Sequence, residues 1–177
     1  MGKIVIFASL LLALLGGCAQ KVVEQPKLQD IEVTQTPRGV LLTISERLLF
    51  DSGKSEVKPE ADEALSKVAE IIKMKTERNV SIEGHTDNSG KPDKNLKLSV
   101  DRAEAVKKIL VAKGAPVERL VTKGYGASDP KADNKSESGK KLNRRTEIYL
   151  LGEDKITPEV EVGVFDGALT KLKNLFD

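Results

Sequence analysis

The 177-residue chain has no tryptophan, a single cysteine and a single histidine, and aromatic residues make up only 3% of it. Each shortage closes off a class of function. So few aromatic rings argue against a stacking platform for bases or a broad aromatic surface for sugars. One cysteine, Cys18, allows no disulfide within the chain and no metal site built from several cysteines. One histidine, His85, leaves a zinc centre short of ligands, so neither a metal nor another cofactor is expected. Charge is plentiful but balanced, with 29 Lys and Arg against 27 Asp and Glu, a net of +2. That balance gives no electrostatic footprint for nucleic acid. With 39% hydrophobic residues the chain can bury a core, and its length suits one domain with flanking segments.

The long hydrophobic runs are confined to the start. Residues 1–17 have a short basic head with Lys3, an apolar run of about twelve residues, and then Gly16 and Gly17. A membrane span needs about twenty apolar residues, so the segment reads as a secretory signal peptide. Its removal takes away Lys3 alone and leaves 28 basic against 27 acidic residues, net +1. Leu15-Gly16-Gly17-Cys18 resembles the bacterial lipoprotein cleavage box. That resemblance implies diacylglycerol on the Cys18 sulfur, cleavage before it, and an acylated (palmitate-type) new N-terminus. Myristoylation at Gly2 is a poorer match, because its motif wants Ser or Thr at position 6 and this chain has Ile6. Several acyl chains hold a protein at a membrane where one alone is marginal. Ala19 and Gln20 follow the cysteine. Asp there marks inner-membrane retention in some bacteria, so the expected location is the outer membrane, with the domain in the periplasm.

Residues 18–30 are polar, contain Pro26 and show no period, so they read as a lipidated start and tether. Twelve such residues reach about 40 Å extended and roughly 20 Å as a relaxed coil. Ile31-Glu32-Val33-Thr34 alternates like a short strand, and Val40 to Ser45 is a β-rich run after the Pro37-Arg38-Gly39 turn signal. Ala61, Leu65, Val68, Ile71 and Ile72 share helical spacing behind Pro59. Val80 to Gly84 reads as a strand, Thr86 to Lys94 as a loop, and Asn95 to Lys113 as a helix ended by Gly114. Leu120 to Tyr125 and Arg145 to Leu150 are further strands, separated by a polar loop with room for one short helix. The order β-α-β-α-β-β predicts an α+β fold, a two-layer sandwich with helices on one face of a mixed sheet. The domain is bounded at residues 31–152. Residues 153–177 form a C-terminal extension of unknown role, with a strand-like run at Val160 to Val164 and an amphipathic stretch from Ala168 to Phe176.

One residue breaks the helical pattern. At 100° per residue, Asn95, Leu98, Val106, Ile109 and Leu110 all fall within about 80° of Arg102. The arginine therefore sits at the centre of the apolar stripe. A guanidinium does not give up its charge, and burying it unpaired is costly, so Arg102 needs an anion. Its side chain leans toward the helix N-terminus, where the preceding loop brings Asp87. Two readings are open. Asp87 and Arg102 form an internal ion pair, or they line a pocket for a zwitterion, the arginine taking a carboxylate and the aspartate an ammonium.

A family resemblance bears on that choice. Gly84-His85-Thr86-Asp87-Asn88-Ser89-Gly90, Asn95 through Ala103, Gly124-Tyr125-Gly126, Pro130, Asn134 and Asn143-Arg144-Arg145 resemble the C-terminal domain of outer-membrane protein A. The same domain occurs in peptidoglycan-associated lipoproteins (Pal) and flagellar stator B subunits. The likeness covers about residues 40–151. It implies non-covalent binding of peptidoglycan through the diaminopimelate of the stem peptide. Asp87 would hold the ammonium and Arg102 the carboxylate. Arg144 would support a carboxylate or wall the pocket. Phe50, Asp51 and Ser52 would line it, and Asn95 and Leu98 would contact ligand. Lys140 and Thr146 depart from the family's more usual Arg and Val or Ala. His85, alternating with Glu83, is read as a structural residue that hydrogen-bonds, and Asp93 and Asp101 as solvated.

The expected function is thus an outer-membrane lipoprotein linked to the wall. Its partners are peptidoglycan, the outer membrane and, in one alternative, Tol-system proteins. A second alternative is a structural lipoprotein in which Asp87–Arg102 is only an internal pair. An enzyme is not expected: an amidase would want a zinc cluster and a muramidase a carboxylate pair across a groove, and no spacing suggests either.

Overall fold

The structure, a computed structural model, describes residues 31–75 and 77–152. The signal segment, Cys18, the tether and the extension from residue 153 lie outside the described residues. Among those described, no helix is long and apolar enough to cross a membrane.

The chain folds in the order β1 (Ile31–Thr36), β2 (Gly39–Ser45), α1 (Glu46–Leu49), α2 (Asp62–Lys75), β3 (Val80–His85), α3 (Pro92–Ala112), β4 (Leu120–Gly126), α4 (Glu137–Asn143) and β5 (Arg145–Leu151). The five strands form one sheet in the order β1-β2-β5-β3-β4. The last strand slots into the middle, antiparallel to both β2 and β3, while β3 and β4 run parallel. A parallel pair needs a long crossover, and α3 supplies it.

Period-2 alternation on β5 sends Thr146, Ile148 and Leu150 to the helical side. There Ile148 and Leu150 meet Leu42 and Ile44 of β2, Ile82 of β3, Leu65, Val68 and Ile72 of α2, and Val106 and Leu110 of α3 in one buried cluster. Ala61, Leu65, Val68, Ile71 and Ile72, predicted as one helical face, are all fully buried. The mixed α+β sandwich is as expected, with differences of extent. The strand signal at Ile31 is half of a β1–β2 hairpin. Helix α3 starts at Pro92, three residues early, because proline with its fixed φ suits a first helical position. The polar loop does contain a short helix, α4, whose N-cap Ser136 Oγ accepts from the Gly139 amide.

The other sheet face carries a buried layer of charge. Arg38 donates two bonds to Glu83, at 2.5 and 3.3 Å, and lies 3.7 Å above the Tyr149 ring. Arg145 Nε donates to Glu147 Oε1 at 2.7 Å. His85 stacks on Tyr125 with ring centroids 5.1 Å apart. It does not hydrogen-bond as expected: both ring nitrogens are buried without a bond, 3.6 Å from Glu147 and 3.9 Å from Asp129. Oxygen and nitrogen atoms of Glu83, His85 and Glu147 come within 4.8 Å of one another, a spacing a metal ion can use. Both carboxylates, however, already face an arginine.

Burial pushes the Glu147 carboxyl up, but the His85 ring and the Arg145 guanidinium beside it more than reverse this and bring it down to about 2. Ionised Glu147 therefore stabilises the fold fully above its ordinary value of 4.5, and that contribution is lost as pH falls from 4.5 toward 2. The shift corresponds to roughly 3 kcal/mol. In denaturant titrations at stepped pH, Glu147→Gln should show a correspondingly shallower loss of stability across that window. An unchanged acid limb would mean that Glu147 is not a main acid-labile group of the domain.

Candidate functional site

Three strand ends meet at one end of the sheet. The antiparallel register pairs Ser45 of β2 with Arg145 of β5 and His85 of β3 with the same Arg145. One step beyond, Glu46, Arg144 and Thr86 converge, and the Glu46 amide donates to the Arg144 carbonyl at 3.1 Å. The β3–α3 loop adds Asp87, and the first turns of α3 add Asn95, Leu98 and Arg102. Together with Phe50, Asp51 and Ser52 after α1 they line an open cleft of about 990 Å3. All eight sequence-predicted pocket residues (Phe50, Asp51, Ser52, Asp87, Asn95, Leu98, Arg102 and Arg144) lie along this cleft.

Arg102 is 3% exposed, as its place on the stripe requires, but its anion is not Asp87. Nη2 donates to Glu46 Oε1 at 2.7 Å, Nε donates to the Lys54 carbonyl at 2.9 Å, and the guanidinium carbon lies 5.1 Å from the centre of the Phe50 ring. Asp87 in turn is taken by Arg144, whose Nη1 reaches Oδ2 at 2.5 Å, and by the Ser89 amide, which donates to Oδ1 at 2.8 Å. The internal Asp87–Arg102 pair is therefore corrected: two pairs exist, and the partners are exchanged. Glu46 carries no motif signal. What betrays it is register, since it follows the last residue of a strand paired with the start of β5.

The pairs form a chain, Arg102–Glu46–Arg144–Asp87, with a looser middle link of 3.7 Å from Arg144 Nε to Glu46 Oε2. Burial pushes the Asp87 carboxyl up, but Arg144 and the Ser89 amide outweigh it and hold it below the usual carboxylate range. Near neutral pH the cleft thus presents fixed charges of both signs, suited to a zwitterion.

The remaining motif residues build the frame. Asn95 Nδ2 donates to the carbonyls of Asp87 and Ser89, at 3.2 and 2.9 Å, so it fixes the loop from beneath. Buried Asn143 donates to Asn134 Oδ1 at 2.9 Å, and that oxygen also accepts from the Asn88 amide at 3.2 Å. Asp51 is exposed and pairs with Lys54 at 3.1 Å. Asp101 pairs with Lys97 on the open face of α3.

A family model described as "OmpA family" matches residues 49–144, a span that contains the eight sequence-predicted cleft residues but not Glu46. "Probable lipoprotein YiaD" of Escherichia coli (strain K12) is 34% identical over 134 residues, covering 72% of this chain and 61% of that protein. The chain spans 16% and 38% of the length of two further curated relatives. Among solved structures, "the cell wall anchor of the T6SS from Pseudomonas aeruginosa" aligns with a TM-score of 0.65 at 30% identity, over 72% of this chain and 91% of that one. "The peptidoglycan-associated lipoprotein from Burkholderia pseudomallei" aligns with a TM-score of 0.53 at 28% identity, over 58% and 86%.

Proposed function

The chain belongs to the OmpA family, and from that premise we propose that it fastens the outer membrane to the cell wall, binding peptidoglycan non-covalently through the diaminopimelate of the stem peptide. The family is structural rather than enzymatic. Residues 31–152 are the wall-binding domain. Residues 1–17 are the signal peptide, Cys18 carries the lipid, residues 18–30 are the tether, and residues 153–177 are an extension beyond the domain.

The observation that carries this reading is the placement of two guanidiniums and the Asp87 carboxylate along one open cleft. Diaminopimelate, amidated at one end in the stem peptide, offers an ammonium and a carboxylate on a single carbon at the other. An arginine fork takes the carboxylate and an aspartate takes the ammonium, each by charge-assisted bonds. The related structures of a cell wall anchor and of a peptidoglycan-associated lipoprotein support peptidoglycan as the ligand class.

Co-sedimentation with isolated diaminopimelate-type sacculi tests it. The wild-type chain should pellet with the wall and release no soluble muropeptide. Asp87→Ala should weaken binding by roughly 10- to 100-fold, since bonds to charged groups contribute about 1.5–3 kcal/mol. A folded Asp87→Ala that pellets as well as wild type removes the pocket from the reading. The lipid end is tested by palmitate labelling and membrane fractionation of Cys18→Ala, which should lose the label and leave the membrane fraction.

A further inference from the structure

Glu46 is buried, and only one of its two oxygens is bonded. Oε1 accepts from Arg102, while Oε2 is fully buried with no hydrogen-bond partner. A buried carboxylate oxygen without a donor is expensive and rare enough to call for a reason. Arg144 Nε lies 3.7 Å from Oε2, just out of bonding reach. Arg144 is held off because its Nη1 is engaged with Asp87. Both Asp87 oxygens are occupied in turn, by Arg144 and the Ser89 amide. A ligand ammonium arriving at Asp87 must therefore compete with Arg144.

We propose that Glu46 is a second berth for Arg144. When a ligand ammonium takes Asp87, Arg144 moves over to donate to Glu46 Oε2, and its released terminal nitrogens turn to the ligand's carboxylate. This deepens the wall-binding reading above and rests on it. Three observations bear the exchange. The side chain of Arg144 is 29% exposed, which leaves it room to move, whereas those of Glu46 and Arg102 are 10% and 3% exposed and stay fixed. The Glu46 backbone is tied to that of Arg144, so the berth and the moving group keep their spacing. The vacant oxygen lies on the Arg144 side of Glu46, with Arg102 on the other. Glu46 is a positioning residue here and need not touch the ligand. The exchange also sets specificity: a ligand with a carboxylate but no ammonium has nothing to displace Arg144 with.

The test is calorimetry on the full chain with soluble L-alanyl-γ-D-glutamyl-meso-diaminopimelate, its side-chain ammonium either free or acetylated. Glu46→Gln keeps the acceptor that holds Arg102 and turns the second oxygen into a donor, which closes the berth. We expect Glu46→Gln to weaken the free-ammonium tripeptide about tenfold when Arg144 is present, and less than twofold in an Arg144→Ala background. The acetylated tripeptide should bind wild type and Glu46→Gln alike. Equal losses in both backgrounds, or no loss in either, would overturn the berth. If wild type fails to bind the tripeptide at all, it is the wall-binding reading that fails. A measurement on wild type alone is independent of how the variant folds. The Arg144 Nε proton should become sharp and slow to exchange on adding the free-ammonium tripeptide, and not on adding the acetylated one. No change with either tripeptide, although both bind, would equally overturn it.

Discussion

Replacing Arg102 with leucine should destabilise the domain by about 3–5 kcal/mol, whereas replacing Glu46 and Arg102 together with leucine should recover most of that loss and still leave the protein unable to bind the wall. The asymmetry follows from what burial does to a charge. Arg102→Leu fits the apolar stripe of α3, flanked by Leu98 and Val106, so the helix has no objection to it. The cost falls on Glu46, left with its carboxylate buried and its strongest donor gone. Breaking a buried pair from one side costs about 3–5 kcal/mol, while exchanging both partners for apolar groups is often neutral or stabilising. For a domain of this size the single variant should melt roughly 10–20 °C lower. The Lys54 carbonyl also loses the Arg102 Nε donor in both variants, so the recovery stops short of complete. Thermal melts and sacculus co-sedimentation of the two variants separate the roles. A stable double variant that still pellets with sacculi would show that the guanidinium serves the fold and not the ligand. A double variant as unstable as the single one would show that the pair is not the source of the loss.

The sequence is legible where a signal repeats. Apolar residues at helical spacing marked one face of α2 (Leu65, Val68, Ile71 and Ile72) and of the turn before it (Ala61), and an arginine centred on the stripe of α3 marked a buried cation that had to have an anion. The motif residues marked the cleft, because Asp87, Asn95 and Arg144 lie in or beside loops whose glycine, asparagine and aspartate pattern is distinctive, and Arg102 breaks the stripe of α3. The partner of Arg102 was not legible. Glu46 is an ordinary glutamate in an ordinary-looking run, and it reaches Arg102 only because β5, the last strand, inserts between β2 and β3. That pairing joins residues about a hundred positions apart and fixes the register in which Glu46 sits beside Arg144. Local pattern cannot carry such information. The same holds for the charged layer beneath the sheet. Glu83, His85, Arg145 and Glu147 alternate as if to face water, and only the β3–β5 register shows that they face one another.

Gly84→Ala should destabilise the domain by about 3 kcal/mol, the upper end of what overpacking costs and more than an exposed glycine in a less favourable backbone conformation costs. A methyl group added at Gly84 would run into the Ser99 carbonyl, which belongs to the backbone of α3 and cannot rotate away. Gly124 on the neighbouring strand is similarly close to Ser99 and Val100, so the two glycines form the seat in which α3 crosses β3 and β4. The comparison is Gly53→Ala. Gly53 has φ +71° but nothing within 4 Å of an added methyl, so it bears only the left-handed penalty of about 1–2 kcal/mol. At Gly84 a steric collision decides the outcome, since close-packed interiors give little. Either the helix lifts or β3 bends. Arg102 rides on that helix and Asp87 follows Gly84 by three residues, so wall binding should fall together with stability even at temperatures where Gly84→Ala remains folded. Gly53→Ala, four residues before the start of the next strand-like bridge at Val57, should keep the helix seat intact. Melting both variants and sedimenting each with sacculi well below its midpoint gives the answer. Equal stability of the two would mean that α3 can move off β3 at little cost, and that the cleft charges are held by their ion pairs rather than by the seat of the helix.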